Sequence, residues 1–296
     1  MKKNILVTGA GGYIGRHVVA SLLEAGADVT ALDINTRQID DRANRITADI
    51  FQPDEALFEA LKGVDAIVHL AWTDGFVHNA PSHIANLQAH ITFLERLVRD
   101  GVKQVAVMGS MHEVGYYEGA VDEHTPCNPR SMYGIAKNAL RQALCVLQQT
   151  EKFTLQWLRG YYIIGDDYFN HSVFTKLIQA EEEGKAQFPF TSGLNQYDFI
   201  SVLALAKQIT LCVLQEEVNG IINCCTGKPV SLKDKVEEFI KSHGYNIKLA
   251  YGQYPDRAYD SPAIWGNNEK IQQVVKAAQT SGNPSLKGIA DELAGL

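Results

Sequence analysis

Asn4-Ile5-Leu6-Val7-Thr8-Gly9-Ala10-Gly11-Gly12-Tyr13-Ile14-Gly15-Arg16-His17-Val18 is the stretch that decides the fold. Ile5 to Thr8 is a short apolar, β-favouring run, long enough for a buried strand. Four glycines follow within seven residues, and then Val18, Val19, Leu22 and Leu23 recur at helical spacing. A strand, a glycine turn and a helix opening beside it form a dinucleotide-binding unit. Gly9 lets the chain turn off the strand, Gly12 leaves room for a pyrophosphate, and Gly15 lets the helix pack closely. The helix start, with Tyr13 and Ile14 beside it, offers N–H groups and partial positive charge to phosphates. An idle glycine turn is the competing reading.

A second strand, Asp28 to Asp33, ends in a carboxylate eighteen residues after Gly15. That spacing suits an acid that accepts hydrogen bonds from both adenosine ribose hydroxyls and repels a 2′-phosphate. The expected cofactor is therefore NAD, although Arg37 just beyond the strand is of a type that holds such a phosphate. Arg45 to Ile50 is expected as a third strand and Pro53 to Leu61 as a short helix. Val64 to Trp72 is a fourth strand, apolar enough to be buried on both faces. Pro81 to Asp100 is expected as one long amphipathic helix, stopped by Gly101. Val102 to Gly109 is the fifth strand. Strands alternating with helices, with no repeat or low-complexity linker, give an α/β fold with a doubly wound parallel sheet.

Composition narrows the function. The chain has 296 residues, 46% hydrophobic and 21% charged, ordinary for a globular protein. A net charge of −7 argues against a nucleic-acid surface. No apolar run reaches the ~18 residues of a membrane span, and the first residues run straight into a core strand, leaving no room for a signal peptide. Five cysteines without metal-ligand spacing suggest reduced thiols, no metal and a cytoplasmic protein. Cys224 and Cys225 are expected in a buried strand.

Tyr133 and Lys137 are four residues apart in Ser131-Met132-Tyr133-Gly134-Ile135-Ala136-Lys137 and so share one helix face. A free phenol has a pKa of about 10. A neighbouring ammonium, with the positive charge of an oxidised nicotinamide, stabilises the phenolate and suits it to proton transfer at a carbonyl or alcohol.

The glycine spacing, Tyr133-x-x-x-Lys137 and segments further on resemble the extended, sugar-nucleotide branch of the short-chain dehydrogenase/reductases, the NAD-dependent epimerase/dehydratase family. The resemblance covers nearly the whole chain. It implies a carboxylate near the adenine at Asp49, with Ile50 as a lid on the base; a helix-cap acid is the other reading of Asp49. It implies cofactor contacts along His69-Leu70-Ala71-Trp72, with Leu70, Ala71 and Trp72 passing the cofactor and His69 structural. It places Asn86 as a brace of the active site and among the cofactor contacts. The family's substrate-orienting hydroxyl falls at Met111, which cannot donate; Ser110 one residue earlier, or His112, is expected to take its place. The dehydratases' Asp-Glu pair falls on His112 and Glu113, so their elimination chemistry is not expected.

In the second half, Leu158-Arg159-Gly160-Tyr161-Tyr162 resembles a family segment whose Asn is here Tyr162, and Gln196-Tyr197-Asp198 resembles one whose Arg is here Tyr197. Phe188 falls where the family sandwiches the base, or is ordinary lobe core. Arg257 is expected on a substrate phosphate and Asp260 on a nucleotide ribose; an exposed Arg–Asp loop pair is the alternative. Residues 1–165, with 195–226 returning to them, are expected to form the NAD-binding domain. Residues 166–194 and 227–296 are expected to form a smaller substrate lobe. The resemblance implies a homodimer through the helices Pro81–Asp100 and Ser131–Gln149. It implies hydride exchange with C4 of a nucleotide-linked hexose: reduction of a 4-keto-6-deoxy sugar nucleotide, or 4-epimerisation. A cofactor-binding regulator without turnover is the reading from another class.

Overall fold

The structure is a computed structural model and describes residues 2–165, 168, 170, 172–256 and 261–295. In chain order, β1 (Asn4–Thr8), α1 (Gly15–Glu24), β2 (Asp28–Asp33), β3 (Asn44–Thr47), α2 (Glu55–Ala60), β4 (Ala66–His69), α3 (Ser82–Ala85), α4 (Leu87–Arg99) and β5 (Gln104–Ser110) form the first half. Then come β6 (Gly119–Val121), α5 (Met132–Leu147), β7 (Thr154–Gly160), β8 (Tyr162–Ile164), α6 (Val173–Glu182), β9 (Gln187–Pro189), β10 (Gln196–Ser201) and α7 (Val202–Val213). The chain continues through β11 (Gly220–Cys224), β12 (Pro229–Ser231), α8 (Leu232–His243), β13 (Lys248–Ala250), β14 (Ala263–Gly266), α9 (Glu269–Gln279) and α10 (Pro284–Leu293).

Seven parallel strands run in the order β11-β7-β5-β4-β1-β2-β3, with β1 between β2 and β4. The order reverses at β1, and a crevice at the strand C-termini opens there, as doubly wound sheets require. Helices cover both faces. Val18, Val19 and Leu22 of α1 are fully buried on one face, and Phe93, Leu94 and Leu97 of α4 on the other. Each such side chain contributes about 1.5–3 kcal/mol of burial. Cys224 lies at the end of β11 and, like Cys225 beside it, is fully buried, as expected.

The largest differences from the sequence reading lie at three boundaries. β3 stops at Thr47, because Asp49 closes a turn in which its carboxylate accepts from the Phe51 N–H at 2.8 Å. β4 spans only Ala66–His69, since Leu70 onward leaves the sheet to wall the crevice. The long helix is divided at Asn86 into α3 and α4.

The smaller lobe has its own core, in which Phe174, Leu177, Phe190, Val236 and Ile264 meet. A sheet β12-β10-β14-β6, with β8 on β10, and the pair β13-β9 frame it. The expectation that 227–296 belongs wholly to this lobe is corrected at its end. α9 and α10 carry apolar stripes (Ile271, Val274, Val275; Ile289, Ala290, Leu293) that join the core of the larger unit, against α7. The physical reason is α7 itself, which is buried on nearly every side and needs partners beyond the sheet.

Candidate active site

A cavity of about 1420 Å³ runs from the glycine turn, past the ends of β4 and β5, into the smaller lobe. At one end Gly9 holds φ +68°, and a Cβ there would lie 2.6 Å from the Ala71 nitrogen. A Cβ on Gly15 would lie 2.0 Å from the Gly9 carbonyl oxygen, so α1 closes on the turn only because Gly15 has none. Ile14, without a polar side-chain atom, stands at the N-cap of α1, and Gly12 and Tyr13 line the cavity beside it. The Tyr13 hydroxyl donates to the Gly165 carbonyl at 2.6 Å and ties the turn to the chain leading into the lobe.

Asp33 lines the same end. Its carboxylate accepts from the Gly11 N–H at 3.0 Å and the Asn35 N–H at 2.9 Å, which fixes it beside the turn. Asp49, Ile50, Leu70, Ala71 and Trp72 continue the wall. A turn without side chains, a helix start without a capping side chain and a fixed carboxylate fit an adenosine diphosphate moiety, and so fit NAD. Asn86 is off this wall: its amide donates to the Thr73 hydroxyl at 2.9 Å. It braces the loop after Trp72 and does not reach the cavity, a correction to its expected cofactor contact.

The middle of the cavity holds the expected catalytic residues. Ser131 caps α5, accepting from the Gly134 N–H at 3.1 Å, and so places Tyr133 in the first turn. The Tyr133 N–H donates to the His78 carbonyl at 2.9 Å. The Ser110 hydroxyl stands beside the Tyr133 phenol on the cavity wall. Burial pushes that phenol above its ordinary pKa, and the Ser110 hydroxyl pulls it partly back. Lys137 lies one turn further on, with its Nζ donating to the Met108 carbonyl at 2.8 Å. Burial pulls Lys137 down to about 7, against the opposing charge of Glu113.

Ser110 ends β5 and caps a short turn over Met111–Glu113. Met111 points into the core of the smaller lobe, away from the cavity, so the hydroxyl in reach of Tyr133 is that of Ser110. His112 lines the cavity, its ring 6.0 Å from that of Tyr133. Glu113 is fully buried off the cavity. It accepts from the Trp157 indole at 2.8 Å and pairs with the buried Arg159 at 3.5 Å. Burial raises its pKa, opposed chiefly by Arg159. This carboxylate holds the fold under the site and has no path to a substrate.

The loop 73–80 brings Phe76, Val77 and His78 onto the cavity wall. It is tied to α5 through the His78 carbonyl and through Asn79, whose Oδ1 accepts from the Met132 N–H at 3.2 Å. The His78 ring stacks on Tyr133 at 5.7 Å and meets His112 at 4.3 Å. Sequence reasoning missed His78. The one available signal is density: four of the nine histidines fall between residues 69 and 90.

At the lobe end, Tyr162 and Tyr197 stack at 4.0 Å and 26°, and both line the cavity with Phe188. The two tyrosines support each other where the family resemblance implied polar contacts. Arg257 and Asp260 lie outside the described residues.

Comparison with known proteins agrees with this geometry. The model of the "NAD dependent epimerase/dehydratase family" matches residues 5–225. The chain is 46% identical over 268 residues to the dTDP-6-deoxy-L-talose 4-dehydrogenase (NAD(+)) of Aggregatibacter actinomycetemcomitans, covering 89% of this chain and 99% of that one. Among solved structures, the fold matches a UDP-N-acetylglucosamine 4-epimerase from Methanobrevibacter ruminantium M1, determined with UDP-N-acetylmuramic acid, at a TM-score of 0.81 and 21% identity, covering 99% and 98% of the two chains. It also matches MoeE5, determined with UDP-glucuronic acid and NAD, at 0.78 and 25%, covering 97% and 98%. The chain is a member of the NAD-dependent epimerase/dehydratase family.

Proposed function

We propose that this enzyme reduces the C4 ketone of a 4-keto-6-deoxy sugar nucleotide to the alcohol, and in reverse oxidises that alcohol, as the dTDP-6-deoxy-L-talose 4-dehydrogenase name implies for its relative. The observation that carries the reading is the Ser110–Tyr133–Lys137 arrangement on the cavity wall. Gly9, Gly12, Ile14 and Asp33 would hold NAD(H), which would supply the hydride when bound. Tyr133, kept protonated by burial, gives its proton to O4 as the ketone becomes an alcohol. Ser110 holds O4 beside the phenol, and the Lys137 ammonium offsets the negative charge left on Tyr133. Phe188, Tyr162 and Tyr197 form the wall against which the sugar nucleotide lies. The test is loss of nicotinamide absorbance from NADH on adding dTDP-linked 4-keto-6-deoxyhexose. One mole consumed per mole of sugar supports the reading, and no consumption refutes it.

One observation favours 4-epimerisation as a second reading. The loop 73–80 walls the cavity and is bound to α5, which suits an enzyme that retains its cofactor between oxidation and re-reduction. Such an enzyme would interconvert a 4-hydroxy sugar nucleotide with its C4 epimer and leave added NADH untouched.

The same reading includes a homodimer through α4 and α5. These helices pack together, and Ile84, Met132, Ile135 and Val146 on or beside them expose apolar surface that a partner would cover. Light scattering at micromolar concentration is expected to give twice the chain mass; the chain mass itself would contradict the dimer. All five cysteines are free thiols, and no described helix is long and apolar enough to cross a membrane. These features support a cytoplasmic setting.

A further inference from the structure

Lys137 has a second partner besides the Met108 carbonyl: its Nζ lies 3.7 Å from the centroid of the Trp72 ring. Trp72 follows β4 at the point where the chain leaves the sheet, and its indole is held on several sides. One face stacks on His90 at 4.5 Å and 13°. The indole N–H donates to His83 Nδ1 at 3.1 Å. His83 therefore carries its own proton on Nε2, which donates to the Val77 carbonyl at 2.9 Å in the loop 73–80. His90 is anchored in turn, its Nδ1 bonded to His69 Nε2 at 2.9 Å, and His69 Nδ1 bonded to Thr8 Oγ1 at 2.9 Å. A continuous set of contacts thus runs from the end of β1, through two buried histidines and an indole, to the ammonium.

We propose that Trp72 is a positioning residue, whose indole face holds and stabilises the Lys137 ammonium on the cavity wall. The proposal rests on the reading of Lys137 as the partner of Tyr133. An ammonium has three protons, and the Met108 carbonyl takes one. Burial disfavours the charge, and a ring face is a surface that offsets this without a counter-ion. The surroundings offer little else. Glu113 acts on Lys137 only through space and is committed to Trp157 and Arg159. His69 and His90, from β4 and α4, are kept neutral by burial, His90 down to about 3. Tyr133, on the same helix, has its ring 5.8 Å from Nζ, and His83 spends both nitrogens on Trp72 and Val77.

The test reads Lys137 directly in cofactor-free protein. Competitive acetylation, followed by mass spectrometry from about pH 5 to 10, gives the midpoint at which the amine becomes nucleophilic. Trp72→Leu is expected to lower that midpoint by about one pH unit, while Trp72→Phe, which keeps a ring face, holds it within a few tenths. Fluorinated tryptophan incorporated throughout the chain keeps the shape, weakens the ring face and is expected to move the midpoint in the same direction as Trp72→Leu. This arm stands even if Trp72→Leu fails to fold. An unmoved midpoint with fluorinated tryptophan, or Phe and Leu variants that shift alike, would overturn the proposal. A shifted midpoint in a protein that leaves NADH untouched would instead refute the proposed reaction and leave the role of Trp72 standing.

Discussion

The Ser110 hydroxyl stands beside the Tyr133 phenol on the cavity wall, while Met111, its neighbour, is buried in the core of the smaller lobe. The strand β5 runs through Ser110, and the turn that follows rotates Met111 away from the cavity. Ser110→Ala is therefore expected to lower turnover by about 100-fold, the effect of removing one donor at a developing charge. Loss of the cap on the following turn adds about 1 kcal/mol of destabilisation. Met111→Thr in that background is expected to restore nothing. Steady-state kinetics with a thermal melt separate the two effects, and recovery of turnover by Met111→Thr would show that residue 111 faces the substrate.

Tyr133→Phe removes the proton donor and keeps the ring that stacks with His78 and meets Trp72 edge-on. NADH affinity is expected to stay within a few-fold and turnover to fall by at least ~100-fold. Near-normal turnover would take Tyr133 out of the mechanism.

Asp33 is held by two backbone N–H groups at the glycine turn, so it cannot easily move aside for a 2′-phosphate. NADH is expected to bind at least ~10-fold more tightly than NADPH, and Asp33→Ser to narrow the difference. Equal affinities in the unaltered protein would show that Arg37 overrides Asp33.

Lys137 carries a stability cost whose pH dependence can be worked out. Its pKa falls from 10.5 to about 7 on folding, because burial disfavours the charge. Between these values the unfolded chain binds more protons, so this group's contribution to stability rises with pH; below about 7 the full cost is present. Lys137→Met is therefore expected to raise the melting temperature of cofactor-free protein more at about pH 6 than at about pH 9. The neutral, buried His69 and His90 also weaken the fold on acidification; the Lys137 charge adds to that cost, so its removal enlarges the gain at low pH in the same direction. Equal gains at the two pH values would contradict the assignment.

Much of this arrangement is legible in the sequence because it depends on local rules. Gly9 and Gly15 are required where a Cβ would strike backbone, and the four-residue spacing of Tyr133 and Lys137 places both on one helix face. The choice between Ser110 and His112 was not legible, since it depends on where the strand ends, and a shift of one residue there exchanges the faces. His78 was hidden because a loop has no period, and its place comes from backbone bonds to α5. The docking of α9 and α10 on α7 depends on a helix some sixty residues upstream, which no local pattern encodes. Asn86 was read by position in a motif, whereas its amide is taken up by Thr73.

The proposed reaction passes a hydride between added cofactor and C4 of the sugar while Tyr133 moves the proton. The most direct measurement supplies NADH deuterated at the transferred position together with a dTDP-linked 4-keto-6-deoxyhexose and follows the product by NMR. The account predicts one deuterium at C4 for each NADH oxidised, and its loss together with turnover in Tyr133→Phe. Product without deuterium at C4, or interconversion of 4-hydroxy epimers with the labelled NADH unconsumed, would contradict it.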